Sequence, residues 1–301
     1  MKKDRSTHRD LHADITQQLI AAIEADPGRP TLPWRRQSGA PSFPINASTS
    51  KPYNGINVLN LWVAGTVHAY PHPIWATYRQ WLELGAQVRR GEQASLVVFY
   101  KEYATEVDPA DPDDNGRRRV ARASNVFNAA QVDGFEMPAA PPQLGPIERL
   151  ERVDHFVKLT NAEIVHGGDH AFYHPASDQI HMPEEGLFFD TASMNRTEGY
   201  YATLVHELIH WSGEKHRLDR QMGKRFGDEA YAAEELVAEI GAAFLCARYG
   251  ITQDVRPDHA QYLASWLKIL KSDNRAIFSA AARANEAATY LSELAGGDGL
   301  A

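Results

Sequence analysis

The chain has 301 residues, a formal net charge of −8 and 43% hydrophobic residues, a composition that is typical of a folded globular protein and excludes a disordered one. Its apolar runs are far shorter than the ~20 residues of a membrane-spanning helix, so no membrane partner is expected. The N-terminus lacks the apolar segment of a secretory signal, and the single cysteine, Cys246, excludes an internal disulfide, so the cytoplasm is the expected location.

The net negative charge of the chain comes from its second half. Residues 1–150 carry 17 Lys and Arg against 16 Asp and Glu, which leaves a net charge of −9 for the remainder. Residues 134–146 hold four of the 17 prolines, and consecutive prolines interrupt helices and sheets. We therefore predict a first domain at 1–133, a Pro-rich linker at 134–150 and a second domain at 151–301.

The first domain is predicted to be small and of the α+β class. Apolar residues recur every four positions from Leu11 to Ile23, which predicts an amphipathic helix. The further predicted elements, in chain order, are a turn-rich extended segment over 31–57, a helix over Trp75–Leu84, and strands over 87–90, 95–103 and 125–132. The last two strands are expected to pair as a hairpin across the acidic loop at 108–116.

The second domain is predicted to place a small antiparallel sheet before a set of helices, again an α+β arrangement. A helix over Ile147–Leu159 is followed by short strands. The predicted strands lie near 163–165, 171–174 and 179–182, and the predicted helices cover 197–212, 228–249, 257–273 and 274–293. The second and third strands are expected to form a hairpin with its turn at Pro175–Asp178.

The strongest chemical signal is His206-Glu207-x-x-His210 within the segment Tyr200–Gly213. Residues four apart lie on one face of a helix, so both imidazoles can bind one metal ion. Glu207 lies ~100° further round the helix, where a carboxylate can serve as general base. Zn²⁺ accepts imidazole and carboxylate ligands. We predict His206 and His210 as ligands of Zn²⁺, with Mn²⁺ or another divalent metal as alternatives, and Glu207 as the catalytic residue.

A third ligand is needed, and the sequence offers two. Glu235 and Glu239 lie one turn apart on the next long helix and resemble the gluzincin arrangement, which implies Glu235 as ligand and Glu239 as support for a ligand histidine. His216 instead matches the metzincin spacing. That arrangement needs a distant methionine turn, and the only later methionine is Met222, six residues on. We favour Glu235 and interpret Glu234 as a solvated residue.

Other candidate residues carry weaker signals. A second metal site is an alternative for four histidines of the predicted hairpin region, although polar strand and turn positions are favoured: His166, His170, His174 and His181. Core packing is favoured over a catalytic hydroxyl for three tyrosines: Tyr200, Tyr201 and Tyr231. Cys246 lies in an apolar run and is interpreted as a buried small residue.

Basic and aromatic residues interleave in the first domain, as sequence-tolerant binding of single-stranded nucleic acid requires. The clusters are Trp34-Arg35-Arg36, Lys51-Pro-Tyr53, Trp75 to Trp81, Arg89-Arg90 and Arg117-Arg118-Arg119. The alternative is that the tryptophans belong to the core and the arginines to a solvated surface. Composition alone favours that alternative.

Longer motifs in both halves resemble one family. The matching segments include Lys51–Asn57, Ile74–Gln80, Val88–Glu92, Val126–Gln131, Asp178–Pro183, His206–Gly213 and Glu234–Glu239. The first half resembles the single-stranded-DNA-binding domain of ArdC-type antirestriction proteins and of the related TraC-type primases of conjugative plasmids. The second half resembles the zincin-like metallopeptidase domain of ArdC, which is similar to SprT-like proteases. Ser212 and Glu214 depart from the motif, and neither is a predicted ligand.

The resemblance implies a protein that binds single-stranded DNA, with double-stranded DNA as a second candidate partner. It also implies that the protein shields plasmid DNA, which enters a recipient cell by conjugation, from restriction endonucleases. Its metallopeptidase domain would act on an unknown protein substrate. Two alternatives stay open: a DNA-binding protein with a structural or vestigial metal site, and an SprT-like protease of DNA-bound proteins. The candidate DNA contacts are Trp34, Arg35, Arg36, Lys51, Tyr53, Asn57, Trp75, Tyr78, Arg79, Arg89 and Arg90.

Overall fold

A computed structural model describes seven stretches of the chain. These are residues 10–25, 43–105, 117–138, 145–191, 194–220, 229–251 and 259–297. Trp34, Arg35 and Arg36, the acidic loop at 108–116 and part of the predicted linker lie outside the described residues.

The helices of the described stretches are α1 (Leu11–Glu24), α2 (Ile56–Val67), α3 (Tyr78–Glu83), α4 (Pro146–Leu159), α5 (Arg196–Ser212), α6 (Glu229–Tyr249), α7 (His259–Ser272) and α8 (Ala276–Leu294). Helices α5 to α8 make up most of the described part of the second half. Within the seven stretches, none of these helices combines the length and the apolar character needed to cross a bilayer.

The strands form three sheets. They are β1 (Ile45–Asn46), β2 (Ile74–Thr77), β3 (Gln87–Val88), β4 (Ser95–Ala104), β5 (Arg117–Asn128), β6 (Val132–Asp133), β7 (Glu163–His166), β8 (Phe172–His174) and β9 (Gln179–Met182). The first sheet has the order β1-β2-β5-β4, β3 pairs with β6, and the third sheet has the order β7-β9-β8. The α+β class predicted for both halves is confirmed.

The long hairpin β4–β5 and the hairpin β8–β9 are antiparallel, as predicted. The third sheet as a whole is not antiparallel, because β7 pairs with β9 in parallel. This corrects the prediction. After β7 the chain passes to the opposite edge of the sheet, where β8 lies, and the β8–β9 hairpin then places β9 between them, parallel to β7.

Helix α2 was not predicted, and its burial explains why. All eight residues from Ile56 to Val63 are buried, so polar and apolar positions do not alternate and no amphipathic period is visible in the sequence. Two of its buried residues are polar and satisfy the exposed edge of β4. Asn57 exchanges two hydrogen bonds with the backbone of Val98 (2.7 and 2.9 Å), and the Asn60 amide donates to the Leu96 carbonyl.

The two halves of the chain share a single hydrophobic core. Buried residues of α1, α2 and β4 belong to the same cluster as those of α5, α6 and α8. Phe43 and Trp62 of the first half both meet Phe244 of α6 edge to face, with ring centroids 5.7 and 5.8 Å apart. The Thr16 hydroxyl of α1 donates to the Asn274 carbonyl (2.8 Å). The first half therefore packs directly on the helix that carries Glu235 and Glu239.

Candidate metal centre and nucleic-acid contacts

Helix α5 carries the two predicted histidine ligands into the interior. It begins with a capping box, in which the Asn195 side chain accepts from the Glu198 amide (2.9 Å) and the Glu198 carboxylate accepts from the Asn195 amide (3.3 Å). His206 and Glu207 are each only 4% exposed. The apolar neighbours of the motif hold α5 against α6, so the polar groups between them are withdrawn from solvent.

Three side chains converge between α5 and α6. The Nε2 atoms of His206 and His210 are 3.2 Å apart. Oε2 of Glu235 lies 3.6 Å from Nε2 of His206, and Oε1 of Glu235 lies 3.5 Å from Nε2 of His210. A tetrahedral ion with ligand distances of about 2.0–2.1 Å holds its ligand atoms about 3.4 Å apart. The spacing and the nitrogen and oxygen donors fit such an ion. Among the described residues, this is the one group of at least three His, Cys, Asp or Glu with that spacing.

His216, the alternative third ligand, lies elsewhere. Its side chain is 61% exposed, and its Nε2 is 3.5 Å from the Asp178 carboxylate. The four other histidines also keep separate partners: His166 hydrogen-bonds the Tyr200 hydroxyl (2.9 Å), His181 stacks on Phe172, His174 bonds Ser177 and His170 bonds Asp169. In the described chain they do not assemble into a second metal site.

Each histidine of the centre has a carboxylate facing its outer nitrogen. Glu239, which is fully buried, lies 3.9 Å from Nδ1 of His206. Glu234 lies 3.5 Å from Nδ1 of His210. The interpretation of Glu234 as a solvated residue was wrong, since its side chain is 5% exposed and is held by the Arg220 guanidinium (2.8 Å). The positive charge of Arg220 compensates the carboxylate of Glu234 and allows it to be buried.

The charges of the centre are mutually stabilised. Burial opposes ionisation of Glu235, but the neighbouring His206 and His210, together with a hydrogen bond from Tyr231, lower its pKa to about 2. Burial likewise opposes protonation of His210, but Glu234 and Glu235 raise its pKa to about 9. Carboxylates and imidazoles therefore stabilise one another's charged forms, with Tyr231 and Arg220 as further partners of Glu235 and Glu234.

Glu207 is held by a strand rather than by the ligand set. Its carboxylate accepts a hydrogen bond from the Tyr173 backbone amide of β8 (3.0 Å). The Tyr173 hydroxyl donates to Asp178 (2.8 Å), and the Arg217 guanidinium binds Asp178 and lies 3.8 Å from the ring of Trp211 at the end of α5. This network fixes the β8–β9 hairpin against α5. No spacing in the sequence indicates this network, because Asp178 and Arg217 are 39 residues apart in the chain.

Apart from Trp34, Arg35 and Arg36, which lie outside the described residues, the predicted DNA contacts fall into three groups. Buried side chains are Tyr53, Asn57 and Trp75, at 6%, 4% and 1% exposure. Their assignment as DNA contacts is corrected: the rings of Tyr53 and Trp75 pack in the core and Asn57 caps the edge of β4. Arg89 is exposed but engaged by Glu92, Asp133 and backbone carbonyls. The other exposed candidates are Lys51, Tyr78, Arg90 and Arg79, and the Arg79 guanidinium pairs with Glu83 (2.8 Å).

Comparisons with known proteins cover both halves of the chain. Residues 9–128 match the family model of the N-terminal domain of anti-restriction factor ArdC, and residues 151–283 match that of a zincin-like metallopeptidase. The metal-free crystal structure of antirestriction protein ArdC from plasmid R388 is 38% identical, covers 96% of this chain and 98% of its own, and superposes with a TM-score of 0.76. This chain belongs to the ArdC family.

Further members and relatives differ in length. An uncharacterized protein, y4eC of Sinorhizobium fredii (strain NBRC 101917 / NGR234), is 44% identical over 300 residues, which cover 97% of this chain and 95% of y4eC. A DNA primase TraC of Escherichia coli is 37% identical over 94% of this chain, but the match spans only 27% of the primase. The Mn(II)-bound ArdC structure of R388 is 37% identical, covers 95% of this chain and 98% of its own, and has a TM-score of 0.74. With the donor set described above, it supports a divalent metal in this ArdC-family centre.

Proposed function

We propose that this ArdC-family protein binds single-stranded DNA, protects incoming plasmid DNA from restriction endonucleases, and carries a zinc-dependent peptidase centre. The observation that carries the peptidase assignment is the convergence of His206, His210 and Glu235 beside Glu207. A structural zinc site is normally closed by four protein ligands, whereas three protein ligands leave one position open for water. The Glu207 carboxylate, which is outside the ligand set, is held by the Tyr173 backbone amide.

In this proposal His206, His210 and Glu235 hold Zn²⁺, while Glu239 and Glu234 orient the two imidazoles. Zn²⁺ bound there polarises a carbonyl and lowers the pKa of water towards ~7. The Glu207 carboxylate accepts a proton from the attacking water and delivers it to the leaving amine. The hydrogen bond from Tyr173 keeps the carboxylate on the side of the hairpin β8–β9, and the substrate is an as yet unidentified protein.

The DNA-binding part of the proposal rests on the family and on the charge distribution. The first half carries its arginines in clusters among aromatic residues, and single strands are bound without sequence preference by basic grooves with stacking rings. Duplex DNA is the weaker candidate partner, because stacking needs unpaired bases. A cytoplasmic location, where conjugated DNA meets restriction enzymes, belongs to the same proposal.

Two other functions remain as alternatives within the family. In one, DNA binding alone protects and the metal centre is structural or vestigial. In the other, the protein is an SprT-like protease that removes proteins from DNA without a role in restriction. The buried Glu207 supports chemistry over a vestigial site, and the ArdC relatives support protection over general repair.

Glu207→Gln in the full chain separates these functions. We expect the variant to bind Zn²⁺ as the wild type does, because Glu207 is not among the converging donors, and to lose hydrolysis of casein assayed with single-stranded DNA present. Plasmid protection is measured in parallel by digestion with a restriction endonuclease. Glu163→Gln, an exposed carboxylate of β7, is the matched control.

The outcomes discriminate clearly. If the wild type fails to protect DNA, the antirestriction proposal is wrong. Full protection by Glu207→Gln, together with lost casein hydrolysis, assigns protection to DNA binding alone. If the wild type loaded with Zn²⁺ hydrolyses no protein, the peptidase part of the proposal fails.

A further inference from the structure

The β4–β5 hairpin extends from the core as a two-stranded ladder. Ten residue pairs join the strands, from Ser95–Val126 to Ala104–Arg117. Val97 and Val98 are buried, at 0% and 4% exposure, whereas Phe99 and Tyr100 are 47% and 52% exposed. The hairpin thus leaves the core at Phe99, and its outer part carries large aromatic residues into solvent.

One face of this outer part combines aromatic and basic positions. In an antiparallel ladder, directly opposite residues share a face and alternate residues along a strand do so too. Phe99 lies opposite Arg122, and both are exposed. The register places Lys101 and Tyr103 at the next positions of that face on β4, with Arg118 opposite Tyr103. We call this set, Phe99, Lys101, Tyr103, Arg118 and Arg122, the hairpin face.

The opposite face is turned towards the helices. The Tyr100 hydroxyl lies 3.5 Å from Nε2 of His12 in α1, and the Arg275 charge at the start of α8 acts on the same tyrosine. The inner part of the β4 edge is covered by Asn57 and Asn60 of α2. Phe99 and Arg122, on the other face of the ladder, are therefore directed away from α1 and α8.

We propose that the hairpin face is the surface that binds single-stranded DNA, with a base stacked on Phe99 and a phosphate paired with Arg122. The choice of partner follows from charge and shape, since three basic positions alternate with two rings and suit a polyanion with exposed flat bases. The inference rests on the proposed DNA binding and deepens it. It relocates the contact from the predicted residues around α3 to the hairpin.

The test compares exposed residues of the two surfaces in the full chain. Phe99→Ala and Arg122→Ala probe the hairpin face, and Tyr78→Ala and Arg79→Ala are the matched aromatic and arginine variants of the competing candidate surface on α3, at 47% exposure for Tyr78 and 88% for the Arg79 side chain. Fluorescence anisotropy of a labelled oligothymidylate gives the Kd over a range of salt concentrations.

For Phe99→Ala we expect a loss of affinity of roughly 5- to 150-fold with an unchanged salt dependence, because a stacked base is lost. For Arg122→Ala we expect weaker binding and a slope of log Kd against log salt that is shallower by about 0.7, because one phosphate contact is lost. Phe99→Trp should bind at least as tightly as the wild type. Unchanged melting temperatures verify that the variants are folded.

Failure of this inference differs from failure of the proposed function. If the wild type does not bind the oligonucleotide, the proposed function is wrong. If the wild type binds, and only Tyr78→Ala and Arg79→Ala weaken the complex, the hairpin face is not the binding surface. If Phe99→Trp is as weak as Phe99→Ala, or if a blunt duplex binds as tightly as the single strand, base stacking on Phe99 is refuted.

Discussion

The two carboxylates that face the imidazoles of the candidate metal centre have different surroundings. Glu239, opposite His206, lies in the core at 0% exposure. Glu234, opposite His210, is in contact with the Arg220 guanidinium, which also donates to the Ser212 hydroxyl (3.0 Å). Arg220 thereby joins the end of α5 to α6 through Glu234. A group that fixes the outer nitrogen of a ligand histidine also fixes the direction of its inner lone pair.

Glu234→Gln should therefore weaken metal binding although Glu234 is not among the three converging donors. We expect the Kd for Zn²⁺ to rise about 10- to 100-fold, since Gln keeps the volume but loses the charge that faces His210 and Arg220. Glu235→Gln should cost more, because it alters a donor directly. Titration calorimetry measures both, and the exposed Glu163→Gln is the control. An unchanged Kd for Glu234→Gln would show that Glu234 does not position His210.

Asp178 joins the turn of the β8–β9 hairpin to α5, and its contribution depends on pH. The hydrogen bond from Arg217 lowers the pKa of Asp178 despite partial burial. A carboxyl with a lowered pKa stabilises the fold fully above its unfolded pKa of ~3.9, and this stabilisation is lost as the pH falls through the folded pKa. The backbone of Asp178 has φ of 56°, a left-handed conformation that Asn also adopts.

Asp178→Asn should accordingly lower the free energy of unfolding at pH 7 by no more than about 1 kcal/mol, because the side chain is partly exposed and solvent screens the pair. The difference from the wild type should shrink as the pH is lowered from 5 towards 3. Urea unfolding at several pH values provides the measurement. A difference that stays constant over this range would mean that the ion pair with Arg217 is not its cause.

At the scale of elements, the metal centre depends on how closely α5 and α6 approach. A Cβ added to Gly241 of α6 would lie 2.8 Å from Cδ1 and 3.0 Å from Cγ1 of Ile209, the residue beside the predicted ligand His210. Real Cβ atoms essentially never come as close as 2.8 Å, so a side chain at position 241 would displace Ile209 or move the two helices apart. The same approach brings Glu235 to the two histidines.

Gly241→Ala is expected to separate the two helices. Overpacking of this kind costs about 1–3 kcal/mol, and the affinity for Zn²⁺ should fall with it because donors on α5 and α6 move apart. Gly65→Ala in α2 is the control, since its Cβ would meet no atom within 4 Å and alanine is the better helix former. Thermal unfolding and metal titration of both variants decide the matter. A Gly241→Ala protein with wild-type affinity would show that the centre does not need this approach.

The elements that the sequence predicts well are those with one polar face. The spacing of His206 and His210 and the apolar residues between them predict α5, and the structure extends it from Arg196 to Ser212. The same reasoning fails for α2, because this helix is buried on all sides. The single helix predicted over Trp75–Leu84 is in fact the strand β2 followed at Thr77 by the short helix α3. Glu234 was misread because its partner, Arg220, lies 14 residues away and nothing in the spacing indicates the pair.

At the scale of the whole molecule, the two halves differ in net charge but share a hydrophobic core. The second half carries a net charge of −9 and the first +1, which separates the expected partners of the two halves. Yet Lys271 of α7 pairs with Glu24 of α1 (2.6 Å), and the Gly55 amide before α2 donates to Asn285 of α8 (3.3 Å). The domain boundaries at residues 133 and 150 stay a prediction from the sequence, because the two halves pack against each other.

If the shared core couples the halves, they should unfold together. Phe244 of α6 is 2% exposed and contacts both Phe43 and Trp62 of the first half, which also contact each other. Phe244→Ala therefore removes contacts that join the halves and should cost about 3–5 kcal/mol. Tryptophan fluorescence and far-UV circular dichroism should then report one transition, shifted by the same amount. Phe189→Ala, at 80% exposure, should change stability by less than about 0.5 kcal/mol. Two separate transitions in the wild type, with only the second shifted by Phe244→Ala, would mean that the halves fold independently and that the contacts of Phe244 do not couple them.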